Sequence, residues 1–274
     1  MTDVQKDKKQ IAISCEYLGV DFHGWQRQEN AHAVQAELED AWFDLTAERI
    51  ILNGCSRTDA GVSARRHISS FFTTSSIPAE RIALAWNTKL APGVAVRKAK
   101  QVPTDFDPRF DALGKEYSYV FYLSNTRPVI DRFQSHHVPQ QLDIGAMRKA
   151  SKAFLGEHDF SALMDQGSPS TRTCRGIYAV GLEKAGSFLY LHVIGDGFLY
   201  HMVRILAGTL LYVGLGKIAA GDVSHLLQAA DRRAMGPTLS AQGLTLERVF
   251  YKDELFGSDC WPYHDWQSEC SNKG

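Results

Sequence analysis

The 274-residue chain predicts an α+β fold in two units, and three observations carry that expectation. Several short runs alternate apolar and polar residues, as half-buried strands do. Between them lie stretches whose apolar residues recur every three or four positions, the period of a helix packed by one face. The second half repeats this strand and helix grammar after a break at residues 108–114, as two α+β units with antiparallel-type strands would.

The elements follow in order. Residues 11–18 alternate Ile11, Ile13, Cys15 and Tyr17 with polar neighbours and are expected as a strand. Residues 34–45 set Val34, Leu38, Trp42 and Leu45 at helical steps. Residues 68–74 read as a strand. Pro78 opens a helix over 78–89, where an early position tolerates its missing N–H. Residues 94–99 read as a strand, and 115–123 as another, with Tyr117, Tyr119 and Phe121 on one face. In the second half a helix is expected over 143–154. Two strands, 174–182 and 188–194, are expected to join through a hairpin at Lys184-Ala185-Gly186-Ser187. A long apolar helix over 199–213 has Gly208 near its middle. A short helix over 223–230 and a closing strand over 244–251 complete the set. The domains are accordingly set at 8–110 and 111–254, with 1–7 and 255–274 as tails. The second tail has Pro262, mixed charge and no period, although Trp261, Tyr263 and Trp266 could dock on the body.

Hydrophobic residues make up 44% and charged residues 22%, which suits a soluble globular protein. No apolar run approaches the roughly 18–20 residues needed to span a bilayer, so no membrane association is expected. The polar start, with acids among its lysines, argues against a secretory or transit peptide. Five widely spaced cysteines, none in a Cys-x-x-Cys pair, fit a reducing cytosol better than a disulfide scaffold or zinc ribbon. His136 and His137 are adjacent and lack the same-face spacing of a helical metal site, so no metal is expected. Net charge is −1, but its distribution is uneven. From Arg57 to Arg109 there are nine bases and four acids, whereas beyond Tyr251 there are five acids and two lysines. A near-neutral total can thus conceal a basic face suited to a polyanion. Scattering of the same bases over a solvated surface is the alternative.

Residues 57–64, Arg-Thr-Asp-Ala-Gly-Val-Ser-Ala, hold the strongest chemical signal. A carboxylate on a loop gains little by packing, so its uses are capping, ion pairing or chemistry. Ala60 and Gly61 let a bulky ligand approach the backbone. Arg57, two positions away, can hold Asp59 ionised and aimed. The plainer reading is a turn in which Asp59 caps its own backbone and Gly61 supplies positive φ.

Around this loop the chain carries four further blocks in order. They are Gly24-Trp25-Gln26-Arg27-Gln28; Phe106-Asp107-Pro108-Arg109-Phe110 with Lys115-Glu116-Tyr117-Ser118-Tyr119; Gly197-Phe198-Leu199-Tyr200-His201-Met202-Val203-Arg204; and Gly236-Pro237-Thr238 with Gln242-Gly243-Leu244. Together, from about Ile11 to Tyr251, they resemble the TruA-type tRNA pseudouridine synthases. The resemblance implies two RRM-like (ferredoxin-like) halves, whose mainly antiparallel sheets join across a central basic cleft. It implies an isomerase that converts uridine to pseudouridine in the anticodon stem-loop of tRNA, in the cytoplasm, as a homodimer and without a cofactor.

The same resemblance assigns roles. Asp59 is the catalytic carboxylate, attacking C1′ of the ribose or removing the proton at C2′. Tyr117 would stack on the uracil, Arg204 would face Asp59, and Leu244 would line the base pocket. Arg57 would hold the opened strand, because a base that is to be isomerised must leave its stack. Gln26, Arg27 and Gln28 offer amides and a cation for phosphate and sugar contacts. Plainer uses exist for each: Tyr117 and Leu244 as strand core, and Arg204 as a charge that snorkels from an apolar helix. Two positions depart from the family pattern, Ser56 for its usual Gly and Ser63 for its usual His, which puts any role of that imidazole in doubt here. Two other functions compete. A non-catalytic RNA-binding protein or RNA chaperone would gain nothing from an acid facing phosphates. A glycosidase needs a second carboxylate at fixed separation, for which Asp196 and Asp231 are weak candidates.

Overall fold

A computed structural model describes residues 8–167, 171–253 and 255–257. The expected tail at 1–7, and Trp261, Tyr263 and Trp266 of the other, lie outside the described residues. In chain order the elements are β1 (Lys9–Tyr17), α1 (Val34–Thr46), β2 (Asn53–Gly54), β3 (Ser63–Thr73), α2 (Ala79–Trp86), β4 (Val94–Val102), β5 (Gly114–Leu123), β6 (His136–Val138), α3 (Ile144–Ser151), β7 (Gly156–Asp159), β8 (Cys174–Ala185), β9 (Phe188–Gly195), α4 (Met202–Gly214), α5 (Val223–Gln228) and β10 (Leu244–Phe250). The chain divides into two compact units, the first running to Leu113 and resuming at Leu246, the second running from Gly114 to Thr245.

The first unit is α+β. Its strands run in the order β4-β1-β3-β10, with β2 on β3, and β1 is antiparallel to both β3 and β4. The helices α1 and α2 cover it through three large side chains. The Trp42 ring lies 4.7 Å from Trp86 and 5.1 Å from Phe71, and the buried Trp86 indole donates to the Leu38 carbonyl at 3.0 Å. The alternation in β1 promised one buried face, yet Gln10, Ala12 and Ser14 are buried as well. The central position of β1 in this unit accounts for that. Gln10 offsets part of the cost through its amide NH2, which donates to Ser70 Oγ at 3.1 Å and Phe106 O at 2.6 Å. Strand β4 runs three residues past its expected end, because Lys100, Gln101 and Val102 pair with β1.

The second unit is also α+β, in the order β5-β9-β8-β7. Its main pairings are antiparallel, and the short β6 joins β5 in parallel. The hairpin between β8 and β9 is tighter than expected. Lys184 and Ala185 stay in the strand, and Gly186-Ser187 alone make the turn, with Gly186 at φ +58°. The helix expected over 143–154 is α3 followed by a 3₁₀ turn, Lys152–Phe154, and Asp143 caps it by accepting the Ala146 N–H at 2.8 Å. The apolar α4 is the centre of this unit and is buried along nearly its whole length. It starts three residues later than expected, because Leu199 and Tyr200 belong to a turn that ends at His201, held at φ +61°. Among the described residues no helix is long and apolar enough to cross a membrane.

Candidate active site

The residues singled out from sequence divide between the units. Asp59, Arg57, Gln26, Arg27 and Gln28 lie in the first; Tyr117, Arg204 and Leu244 lie in the second.

In the first unit, Asp59 is half-buried between exposed Arg57 and Ala60, on the loop that feeds β3. The turn foreseen from sequence is there: the Val62 N–H donates to Asp59 O at 3.1 Å, and Gly61 has φ +82°. Three further ties pin the loop. Trp25 N–H donates to Thr58 O at 3.1 Å, and Gly61 N–H to Phe22 O at 3.3 Å. The buried Thr58 hydroxyl meets Tyr17 OH at 2.8 Å. The backbone on both sides of Asp59 is therefore held in place before any ligand arrives.

Close backbone packing requires glycine at Gly24. Its φ is +89°, and a Cβ there would lie 2.7 Å from Thr58 O. Gly24→Ala is expected to lower stability by about 1–3 kcal/mol, read as a lower urea midpoint. Below the loop, Trp25 stacks on His67 at 3.7 Å, and His67 Nε2 meets Ser56 O at 2.9 Å.

The two departures from the family pattern have visible positions. Ser63 is buried, and its hydroxyl accepts the Gly19 N–H at 2.9 Å, tying β3 to the turn after β1. It performs a structural task at the place where the family has an imidazole. Ser56 offers its carbonyl to His67.

Gln26, Arg27 and Gln28 are drawn into their own unit. Gln26 and the Arg27 N–H both donate to Gln35 Oε1, at 2.6 and 3.0 Å. The Arg27 guanidinium pairs with Glu39 and Asp40, each at 2.7 Å, and Gln28 donates to His23 O at 3.0 Å. The charge of Arg27 is thus met by two carboxylates of α1. That makes it first a brace for the loop beside Thr58.

In the second unit, Tyr117 lies on β5 opposite Val193, with only 6% of its surface exposed. The Phe198 ring meets it edge-on at 5.1 Å and 82°. Sequence reading did not single out Phe198, although it stands in the Gly197–Arg204 block. Arg204, on the first turn of α4, donates from Nε to Leu239 O at 2.7 Å. Leu239 is followed by Ser240, whose carbonyl accepts Tyr119 OH at 2.9 Å. Burial pushes the Tyr119 hydroxyl well above its ordinary pKa, so it donates there as a neutral phenol. Leu244, buried at the start of β10, comes next. The short segment 236–244 therefore links Arg204, Tyr119 and Leu244.

A carboxylate that sequence reading missed ties this segment down. Asp165 Oδ1 accepts Arg232 Nε at 2.9 Å. Its Oδ2 faces His201 Nδ1 and Thr238 Oγ1, each at 2.7 Å. Partial burial alone would raise its pKa. The hydrogen bonds from Thr238, His201 and Arg232 outweigh this and bring it down to about 2. A folded pKa below the unfolded value of about 3.9 means stability that is present above pH 4 and lost as pH falls toward 2. The urea-unfolding difference between wild type and Asp165→Asn is accordingly expected to be about 2 kcal/mol at pH 7 and to shrink between about pH 4 and 2. A difference constant over that range would contradict the assignment.

A family model described as tRNA pseudouridine synthase matches residues 13–111 and 150–252. The tRNA pseudouridine synthase A of Acetivibrio thermocellus is 40% identical over 243 residues, covering 89% of this chain and all of that protein. Its namesake from Clostridium kluyveri is 41% identical over 243 residues with the same coverage. That from a Geobacter species is 41% identical over 246 residues, again 89% of this chain and all of that protein. Among solved structures, a chain of a Cbf5-Nop10-Gar1 complex is 14% identical, covers 88% of this chain and 50% of its own length, and has a TM-score of 0.37; that likeness carries no weight here.

Proposed function

The chain belongs to the tRNA pseudouridine synthase family, and we propose that it acts on uridines of the anticodon stem-loop with Asp59 as its catalytic carboxylate. The reaction is an isomerisation. The bond from ribose C1′ to uracil N1 breaks, the base turns, and C1′ bonds to C5. The proton at C5 is lost and N1 gains one, so atoms balance without an oxidant, reductant or cofactor.

The observation that carries the role of Asp59 is the pinned loop. Its backbone is fixed by Trp25, Phe22 and Tyr17, while the carboxylate stands half-buried beside the exposed Arg57. An ionised acid held in place can add to C1′ or take the proton at C2′. Tyr117 supplies a face for the loosened uracil and Leu244 an apolar wall. Arg204 is assigned to the substrate-facing cations, and Arg57 holds the opened strand. Arg57, Arg65 and Arg66 are all exposed on the Asp59 loop and β3, which supports a phosphate-facing surface there. Gln26 and Gln28 add amides, and Arg27 acts chiefly by bracing them.

Each unit by itself joins an antiparallel-rich sheet to helices, which supports reading each as an RRM-like half. Cytoplasmic location and a homodimer follow from the resemblance, and light scattering of the tRNA complex tests the latter.

Mapping of carbodiimide-modified pseudouridines by primer extension tests the substrate assignment. Stops confined to the anticodon stem-loop are expected; stops elsewhere only would overturn it. Tyr117 is expected to act through its ring. Tyr117→Phe should keep turnover within about tenfold, and Tyr117→Ala should lose about 10–100-fold, the worth of one base–aromatic stack. A Phe variant as slow as the Ala variant would move the role to the hydroxyl.

A further inference from the structure

We propose that Asp165 is a positioning residue for Arg204, fixing both ends of the hydrogen bond that holds that guanidinium. The inference rests on the reading of Arg204 as part of the active site.

Arg204 Nε donates to Leu239 O, so its place depends on where α4 begins and where Leu239 lies. Asp165 controls both. Through Oδ2 it holds His201, the residue that precedes α4 and sits in the left-handed region. A non-glycine residue is strained there and persists only when its surroundings hold it. His201 O accepts the Ile205 N–H at 3.0 Å, so the turn fixed by Asp165 is the one from which Arg204 projects. Through the same oxygen Asp165 holds Thr238, the residue directly before Leu239.

Through Oδ1 it holds Arg232, which reaches the same segment twice, donating to Gly236 O at 2.9 Å and Thr238 Oγ1 at 2.8 Å. One carboxylate therefore collects an imidazole, a guanidinium and a hydroxyl. The imidazole belongs to the turn before α4 and the hydroxyl to the segment that receives Arg204, while the guanidinium of Arg232 reaches that segment through its own donors. A neutral amide has a single acceptor oxygen and cannot satisfy donors on both sides. Asp165 lies in the chain 36 residues before His201 and 73 before Thr238, so it couples segments that share no local turn.

Two measurements on the full-length protein test this. The first reads Arg204 itself: the Nε–H resonance in ¹⁵N spectra, assigned by its loss in Arg204→Lys. Hydrogen exchange at that Nε–H is expected to quicken at least about tenfold in Asp165→Asn; an unchanged rate overturns the proposal. The second is single-turnover pseudouridine formation by wild type, Asp165→Asn, Arg204→Ala and the double variant. Asp165→Asn is expected to slow turnover about 10–100-fold with tRNA affinity within about threefold, and to add nothing in the Arg204→Ala background. Penalties that multiply in the double variant overturn the proposal. Faster Nε–H exchange together with a fully active Arg204→Ala would uphold the positioning and overturn the catalytic reading of Arg204. If Asp165→Asn does not fold, Thr238→Val removes one donor and keeps the rest. It is expected to quicken the same exchange at least threefold, and no change in that variant overturns the proposal.

Discussion

Asp59→Asn is expected to fold and bind tRNA as the wild type does, while turnover falls by about 10⁴, equivalent to roughly 5–6 kcal/mol of barrier. The amide matches the carboxylate in shape, so the ties on Thr58 and Gly61 have no reason to change. Only the charge is lost, and with it both the nucleophile and the base. Affinity should hold or improve, because an acid facing phosphates opposes binding. Single-turnover nucleoside analysis and filter binding measure the two quantities. A loss below about tenfold would remove the carboxylate from the chemistry, and a parallel loss of affinity would make Asp59 a structural group.

Gly208→Ala is expected to destabilise the protein by about 3 kcal/mol or more. A Cβ on Gly208 would lie 1.9 Å from Pro237 O, and one on Gly236 would lie 2.2 Å from Gly208 C. Both obstacles are backbone, so no side chain can turn aside. At this crossing α4 and the 236–239 segment touch main chain to main chain. The contact is sealed by Gly236 N–H donating to Thr209 Oγ1 at 3.0 Å. One helical turn earlier Arg204 grips Leu239 O, so forcing the helix and the segment apart also moves the guanidinium. Gly181→Ala is the control, since it has open space where its Cβ would be. Urea midpoints of the two variants are expected to differ widely; a cost below about 1 kcal/mol for Gly208→Ala would show that the crossing yields.

The sequence reading worked where a signal was local. Tyr117, Tyr119 and Phe121 mark β5 to within a residue, because one face of a strand writes period two directly into the chain. Val34, Leu38 and Trp42 mark the start of α1 as clearly. The signal failed where pairing decides the outcome. Lys100 and Gln101 carry no apolar pattern, and they are strand only because β1 runs beside them. Three-residue β6 and four-residue β7 are too short to show a period. The end of the turn before α4 was misjudged because Leu199 and Tyr200 continue the apolar run without being helical.

The candidate site divides in the same way. Asp59 stands out because Arg57, Ala60 and Gly61 are its neighbours in the chain. What holds its loop is spread over Tyr17, Phe22 and Gly24, and the Tyr17 contact spans 41 residues. Asp165 belongs to no motif, and its three partners lie 36, 67 and 73 residues away. Arg27 shows what local reading leaves out. As a cation beside two amides it reads as an RNA contact, and no local signal reveals that Glu39 and Asp40, one to two helical turns along α1, also pair with it.

The most direct measurement is tritium release from unmodified tRNA transcript carrying uridine labelled at carbon 5, with wild type and Asp59→Ala in parallel. Bond formation from C1′ to C5 expels that hydrogen, so release reports this reaction and not binding. Release by the wild type and none above background from Asp59→Ala is the predicted result. Equal release by both would contradict the role of Asp59, and no release by a wild type that binds the tRNA would favour a protein that only binds RNA.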